Sequence, residues 1–476
     1  MFLFTIVSMR NILSFFLILF INNVSAQALE QRIASAFRKF ASDKQLTFGT
    51  ASLTVLNAET GEIVFSENGN TGLASASTLK TITSATAYHL LGNNFTWETT
   101  LGYTGSISED GILNGDLVIA GSGDPSLGSD RYDQSKSETL LTRWVDAVKN
   151  AGIKRLAGRI IADDRLFGSQ TTPGGWTWQD MGNYYGAGTS ALTWRENQFD
   201  LIFKAGKVGE PAELLRTEPD MGYLRIINEV TTGKPGTGDN VYAYSAPYST
   251  SVYLRGTYGV DLKKIISASV PDPAFDLAYN LRNRLKGSGI GAETIVTARE
   301  MESEKLSVQP ATRILDTYTS PTLERIVYWF NKKSINLYGE HLVKTIALKQ
   351  GKDITTFDGV EVIRDFWNKK LGIDKNALNM YDGSGLSPAN RITTMSMAQI
   401  LQSVKRETWF TSFYESLPVY NNMRMKSGSI SDVIAYTGYQ TSASGIPLVF
   451  SIMINNYSGS GTAARQKLFN VLDVLK

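Results

Sequence analysis

The chain has 476 residues, which at roughly 150 residues per domain divides into about three domains. Hydrophobic residues make up 42% and charged residues 19%, a globular balance that excludes a disordered chain. The formal charge is +2, and Arg10 is the only charged side chain in residues 1–26, so the remainder offers no basic surface for nucleic acid.

The scarce residues exclude more. No cysteine is present, which removes a thiol nucleophile, a thiolate metal site, any disulfide and a lipid-anchored cysteine. Only two histidines occur, His89 and His341, whereas a zinc hydrolase normally draws on two or three. No G-x-S-x-G elbow exists for a Ser-His-Asp hydrolase. Both histidines read as packing residues.

In chain order, Ile12 to Ile21 forms a ten-residue apolar block behind Arg10, followed by the small-residue exit Val24-Ser25-Ala26. These are the parts of a secretory signal peptide over residues 1–26, with the start at Met1 or Met9. Ten apolar residues fall short of the ~20 that a membrane span needs; an uncleaved anchor is the other reading. The mature chain is expected to be exported, periplasmic or extracytoplasmic, without a transmembrane segment. Gln27 to Ala41 carries Leu29, Ile33, Phe37 and Phe40 on one helical stripe. Thr47 to Phe65 reads as a hairpin around Asn57–Gly61, and Thr78 to Leu91 as a helix stopped by Gly92. From Asn93 to about Pro310 the texture is short strands with Asp-Gly and Asn-Gly turns. Helical periodicity returns after Pro321. Strands are expected at Met423–Lys426, Ala435–Gln440 and Pro447–Ile454, and a last helix at Thr462–Leu475. The domain plan is therefore 1–26 leader, 27–92 first part of a helix-and-sheet domain, 93–309 inserted β-rich domains, and 310–476 second part.

Three short motifs carry chemistry. Ser77-Thr78-Leu79-Lys80 places a hydroxyl and an amine three residues apart, on one helical face. A serine nucleophile needs a base, and with histidine so scarce a lysine is the candidate. Ser334-Ile335-Asn336 precedes a helix; its side chains can share a target only from a loop or extended backbone. Lys426-Ser427-Gly428-Ser429 sits on a late strand, where Lys426 and Gly428 share a face and glycine admits a close backbone neighbour. Singly, each has an ordinary reading as a cap or a surface turn.

Together and in this order they match S-x-x-K, S-D-N and K-T-G, the signature set of penicillin-binding proteins and class A β-lactamases. Further matching stretches are Gly115-Asp116-Leu117 with Gly121–Pro125, Gly182–Ala187, Lys333–Glu340 and Asp382–Ser387. The sequence resembles the penicillin-binding proteins, most closely the D-alanyl-D-alanine carboxypeptidase/endopeptidases of the penicillin-binding protein 4 type (peptidase family S13), across nearly the whole mature chain. The 257-residue separation of Ser77 from Ser334 fits a family with two domains inserted there. Ile335 replaces the usual Asp, Ser427 the usual Thr, and Pro388 a frequent Arg for which Arg391 could substitute.

The resemblance implies an α/β (α+β) fold: a penicillin-binding-protein/β-lactamase-like transpeptidase domain, antiparallel sheet with helices on both faces, interrupted by a β-rich insertion of two small domains. It implies a serine DD-peptidase acting on peptidoglycan peptide stems, acylated by β-lactam antibiotics, with no cofactor and no metal. Ser77 would be the nucleophile, Lys80 its base, Ser334 a proton relay and Asn336 the holder of the substrate amide. Lys426 and Ser427 would bind the terminal carboxylate; Gly428, Ser429 and Leu386 would line the substrate path, with the Ser77 and Ser429 N–H groups as oxyanion hole. Asp163 and Asp164 could meet a side-chain amine of the stem, or be solvated turn carboxylates. A second ammonium at ~4 Å and an effective dielectric of ~20 contributes roughly 4 kcal/mol, enough to bring a lysine near neutrality, so Lys426 is expected to depress Lys80. The alternatives are a β-lactamase-like hydrolase and a non-catalytic peptidoglycan-binding module.

Overall fold

The computed structural model describes residues 27–476; the leader expected over 1–26 lies outside the described residues. The chain divides into two compact units. One comprises residues up to Ala85 with Arg364–Met380 and Pro388–Lys476, the other Thr86–Ile363 with Tyr381–Ser387. The division runs through helices Lys80–Leu91 and Thr356–Leu371.

The first unit is built on a six-stranded sheet in the order Ile63–Glu67, Thr50–Asn57, Pro447–Asn455, Val433–Thr441, Met423–Ile430, Val419–Tyr420. Every neighbouring pair is antiparallel. Side chains alternate between faces along a strand, and Thr50–Asn57 shows what each face meets. Leu53 and Val55 join Leu29, Ile33 and Phe37 of the first helix and Leu468 and Leu472 of the last in one core. Each such fully buried side chain contributes about 1.5–3 kcal/mol. Ser52 and Thr54 point the other way, to Thr394 Oγ1 at 2.6 and 2.9 Å, in the first turn of helix Thr394–Val404. Their hydroxyls are buried and would each cost about 1–3 kcal/mol unpaired. Helices thus cover both faces of an antiparallel sheet, as the sequence implied.

The second unit contains a five-stranded sheet, Thr294–Thr297, Arg159–Asp163, Leu117–Ala120, Glu98–Tyr103, Arg313–Thr319. Its first three strands run parallel and the others antiparallel. Helices Ser137–Asn150 and Pro273–Gly287 share its core through Leu140, Trp144, Leu277 and Leu281. Both helices lie inside the stretch read as short strands, although Leu140, Leu141, Trp144, Val145 and Val148 keep helical spacing. A separate core gathers Phe199, Leu201, Val252, Leu254 and Ala268, from a three-stranded sheet around Gln198–Lys204 and a four-stranded one around Ser251–Gly259. Among the described residues, no helix is long and apolar enough to cross a membrane.

Candidate active site

Ser77 lies in a 3-10 turn, Ala76–Leu79, that runs into helix Lys80–Leu91. Residues three apart eclipse each other in a 3-10 turn, and Lys80 Nζ lies 2.8 Å from Ser77 Oγ. Lys80 is fully buried while Ser77 is partly exposed. Ala76 takes a left-handed φ of 45°, an uncommon conformation for a residue with a Cβ, so the turn is held in place by its surroundings. Asn455 supplies part of that hold: its Oδ1 accepts from Ala74 N at 2.8 Å and its Nδ2 donates to Ala74 O at 3.0 Å. Thr81, in the first turn of the helix, donates to Met397 Sδ at 3.3 Å, tying the helix to its neighbour Thr394–Val404.

The late strand runs Met423–Ile430 and its partner Val433–Thr441, both longer than the sequence implied, so the Lys426 motif lies within the strand. The face shared by Lys426 and Gly428 meets the nucleophile turn. A Cβ on Gly428 would stand 2.7 Å from Ser75 O, 2.8 Å from Ser77 N and 2.9 Å from Thr78 N. Only glycine permits this approach. Strand Val419–Tyr420 pairs only with Met423 and Arg424, so no strand lies along that edge of Ser427–Ile430 among the described residues. Ser427 is half-buried and Ser429 exposed. Lys426 Nζ donates to Ser427 O at 2.8 Å.

Burial, and second to it the charge of Lys80, push the Lys426 amine well below its ordinary lysine range. Desolvation is the larger cause because the strand carries the Lys426 amine into the packed interior, where Lys426 is 1% exposed, and the repulsion between the two amines expected from the sequence is the second. Two amines in one such site release protons as a pair, and a hydroxyl touching one of them has a base within reach.

The remaining predicted residues are placed as follows. Arg391 is in the first unit, and its Nη1 donates to Pro388 O at 2.6 Å and Asn390 O at 2.8 Å, so its guanidinium braces its own loop. Ser334, Asn336, Leu386, Asp163 and Asp164 belong to the second unit. Ser334 is left-handed (φ 58°, ψ 41°) between helices Leu323–Lys333 and Asn336–Lys349, and Ile335 is extended. This is the non-helical backbone that the motif requires. Asn336 Nδ2 donates to Tyr185 O at 2.8 Å. Leu386 sits in a loop whose hub is the buried Asp382, which accepts from Gly385 N at 2.8 Å, Ser387 N at 2.6 Å and Trp176 Nε1 at 3.0 Å. Neither Trp176 nor Asn455 carried a sequence signal, since each meets its partner across hundreds of residues.

His341 is buried, and burial lowers its pKa to about 3. Its Nδ1 donates to Gly123 O at 2.9 Å, so Nε2 accepts from Thr193 Oγ1 at 2.9 Å; it is a packing residue. Asp163 and Asp164 are not solvated turn carboxylates. Asp163 accepts two bonds from Arg165, at 2.8 and 2.7 Å. Asp164 is 5% exposed; burial first, then the charge of Asp272, push its pKa up to about 6 against the pull of Arg299. A carboxyl raised in the folded state binds its proton more tightly there than in the unfolded chain. The fold is therefore expected to gain stability as pH falls from about 7 toward about 4, by on the order of 2–3 kcal/mol. Thermal melts across that range should show the gain, and Asp164→Asn should reduce it, leaving the part contributed by the buried Asp124, whose pKa burial likewise raises to about 6, while stabilising the protein at pH near 8.

The chain matches the family model for the D-Ala-D-Ala carboxypeptidase 3 (S13) family over residues 33–422. A D-alanyl-D-alanine carboxypeptidase from Actinomadura sp. (strain R39) is 26% identical over 451 residues, covering 89% of this chain and 81% of that protein. The crystal structure of penicillin binding protein 4 from Haemophilus influenzae superposes with a TM-score of 0.75 at 20% identity, covering 92% of this chain and 97% of the other. The same protein complexed with a β-lactam gives a TM-score of 0.71 at 20% identity, covering 93% and 99%. With the fold matched along nearly its whole length and the family model spanning most of the sequence, the chain belongs to the D-Ala-D-Ala carboxypeptidase 3 (S13) family.

Proposed function

We propose that this carboxypeptidase works through an acyl-enzyme on Ser77, cutting D-Ala-D-Ala termini and also D-Ala–diamino acid cross-links of peptidoglycan, outside the cytoplasm after export by the 1–26 leader. Ser77 Oγ attacks the carbonyl carbon of the penultimate D-Ala, and its proton passes to Lys80. The peptide C–N bond then breaks, the leaving amine takes up a proton relayed through Ser334, and terminal D-Ala departs. Water hydrolyses the ester and restores the serine. Asn336 holds the substrate amide; Lys426 and Ser427 take the terminal carboxylate. The N–H groups of Ser77 and Ser429 face the oxyanion, a donor contribution that typically amounts to ~3–4 kcal/mol. A β-lactam carbonyl takes the substrate's place and leaves Ser77 acylated.

One observation carries it: a serine hydroxyl 2.8 Å from a buried lysine amine, on a strained turn against which the Lys426–Gly428 strand face is packed. The open edge of that strand supports substrate binding as an added strand, backbone to backbone. The separation of the core around Trp144 and Leu277 from the one around Phe199 and Val252 supports an insertion of two small domains. Product analysis on purified muropeptides tests the activity. Loss of terminal D-Ala from pentapeptides together with conversion of cross-linked dimers to monomers is expected; intact dimers would remove the endopeptidase half.

A further inference from the structure

The second unit carries an open cleft of about 500 Å³, lined by Ser129, Asp130, Arg131, Arg195, Glu196 and Trp329. No step of the proposed reaction uses it. Its polar groups are fixed in advance. Arg131 meets Glu196 with Nε at 2.7 Å and Nη2 at 3.2 Å, and its guanidinium lies 5.3 Å from the centroid of the Trp329 ring. Glu196 also accepts from Ser129 Oγ at 2.8 Å and Tyr338 Oη at 2.7 Å. Arg195 pairs with the buried Asp276 at 2.6 Å. The backbone there is unusual: Arg195, Glu196 and Asn197 are successive non-glycine residues with φ of 53°, 55° and 54°. Conformations of this kind persist only where surroundings over-determine them, and they cluster at ligand sites.

The chemistry of the lining selects a ligand class. Both guanidinium groups are already neutralised, and Asp130 adds an exposed carboxylate, so an anion finds no uncompensated positive charge. A purely apolar ligand would strip water from five charged or hydroxyl side chains, at a cost no ring contact offsets. A neutral polyhydroxylated ligand fits: its hydroxyls can both donate to carboxylates and accept from guanidinium N–H groups, while one ring face packs on indole. Trp329 lies on the helix that ends beside Ser334, five residues on, about 7 Å at ~1.5 Å per residue. Tyr338, beneath Glu196, is two residues past Asn336. We infer that this cleft is a saccharide subsite, taking the glycan to which the stem peptide is attached. Its glycan identity rests on the peptidoglycan reading above.

Calorimetric titration of the mature chain with the β-1,4-linked tetrasaccharide of N-acetylglucosamine tests it. Saturable binding is expected, weakened about tenfold or more by Trp329→Ala and measurably by Asp130→Ala, a surface change that leaves the Arg131–Glu196 pair in place. Affinity should hold within about twofold between roughly 0.05 and 0.5 M salt, as for an uncharged ligand. Release of D-Ala from a free pentapeptide should be unchanged in Trp329→Ala, whereas KM for the glycan-linked pentapeptide should rise. Absence of saturable binding to the wild type, equal binding by both variants, or an affinity that collapses with salt would overturn the subsite. Because the titration needs no turnover, an inactive enzyme that still binds the sugar would fail the peptidase reading and leave this one standing.

Discussion

Lys80→Ala is expected to slow acylation of Ser77 by about 10²–10⁴-fold, the usual contribution of a positioned general base. Lys80 is fully buried and its Nζ is 2.8 Å from Ser77 Oγ, so the amine is held against the hydroxyl it is to deprotonate. Truncation also opens a cavity, and Lys80→Met, which keeps most of the volume, separates the lost amine from lost packing. Both variants should be slow by comparable factors in a stopped-flow assay with a chromogenic cephalosporin. Removal of the Lys80 charge should also let Lys426 hold its proton to higher pH, because that charge is the second cause of its depression. A Lys80→Met enzyme that acylates at near-normal rate would take Lys80 out of the base role.

Gly428→Ala should be nearly as damaging, for a steric reason. The added methyl would meet three backbone atoms at 2.7 to 2.9 Å, and backbone cannot rotate out of the way as a side chain can. Either the strand retreats or the Ser75–Thr78 turn shifts. A displacement near 1 Å at a reacting group costs about 10²-fold, and overpacking typically destabilises by about 1–3 kcal/mol. A fall in kcat/KM of about 10²-fold, with a folded protein by circular dichroism, is the expected outcome. Full activity would mean that the strand and the turn need not touch.

The parts of this site that were legible in the sequence are those set by local period. Three-residue spacing joins Ser77 to Lys80, whether the turn is α or 3-10, and two-residue spacing puts Lys426 and Gly428 on one face. The helical stripe of Leu29, Ile33 and Phe37 and the hairpin around Asn57–Gly61 were legible for the same reason. Tertiary partners were not. The strand end at Ile430 was hidden because Ser427-Gly428-Ser429 has turn composition, and only the ladder to Val433–Thr441 keeps it extended. Nothing local marks Ala76 for a left-handed φ; the clamp on its neighbour Ala74 comes from Asn455, 381 residues beyond Ala74. The lysine pair shows the same limit: its members could be named from the motifs, but the burial that is the larger cause of the Lys426 depression is a property of the packed strand.

The central claim is that the Ser77 hydroxyl is the group that becomes acylated. Intact-mass spectrometry of the protein after brief exposure to benzylpenicillin, beside Ser77→Ala treated identically, measures this directly. A single adduct of the full antibiotic mass on the wild type, mapped to the peptide containing Ser77 and absent from the variant, is the predicted result. An unmodified wild type, or an adduct that survives in Ser77→Ala, would contradict it.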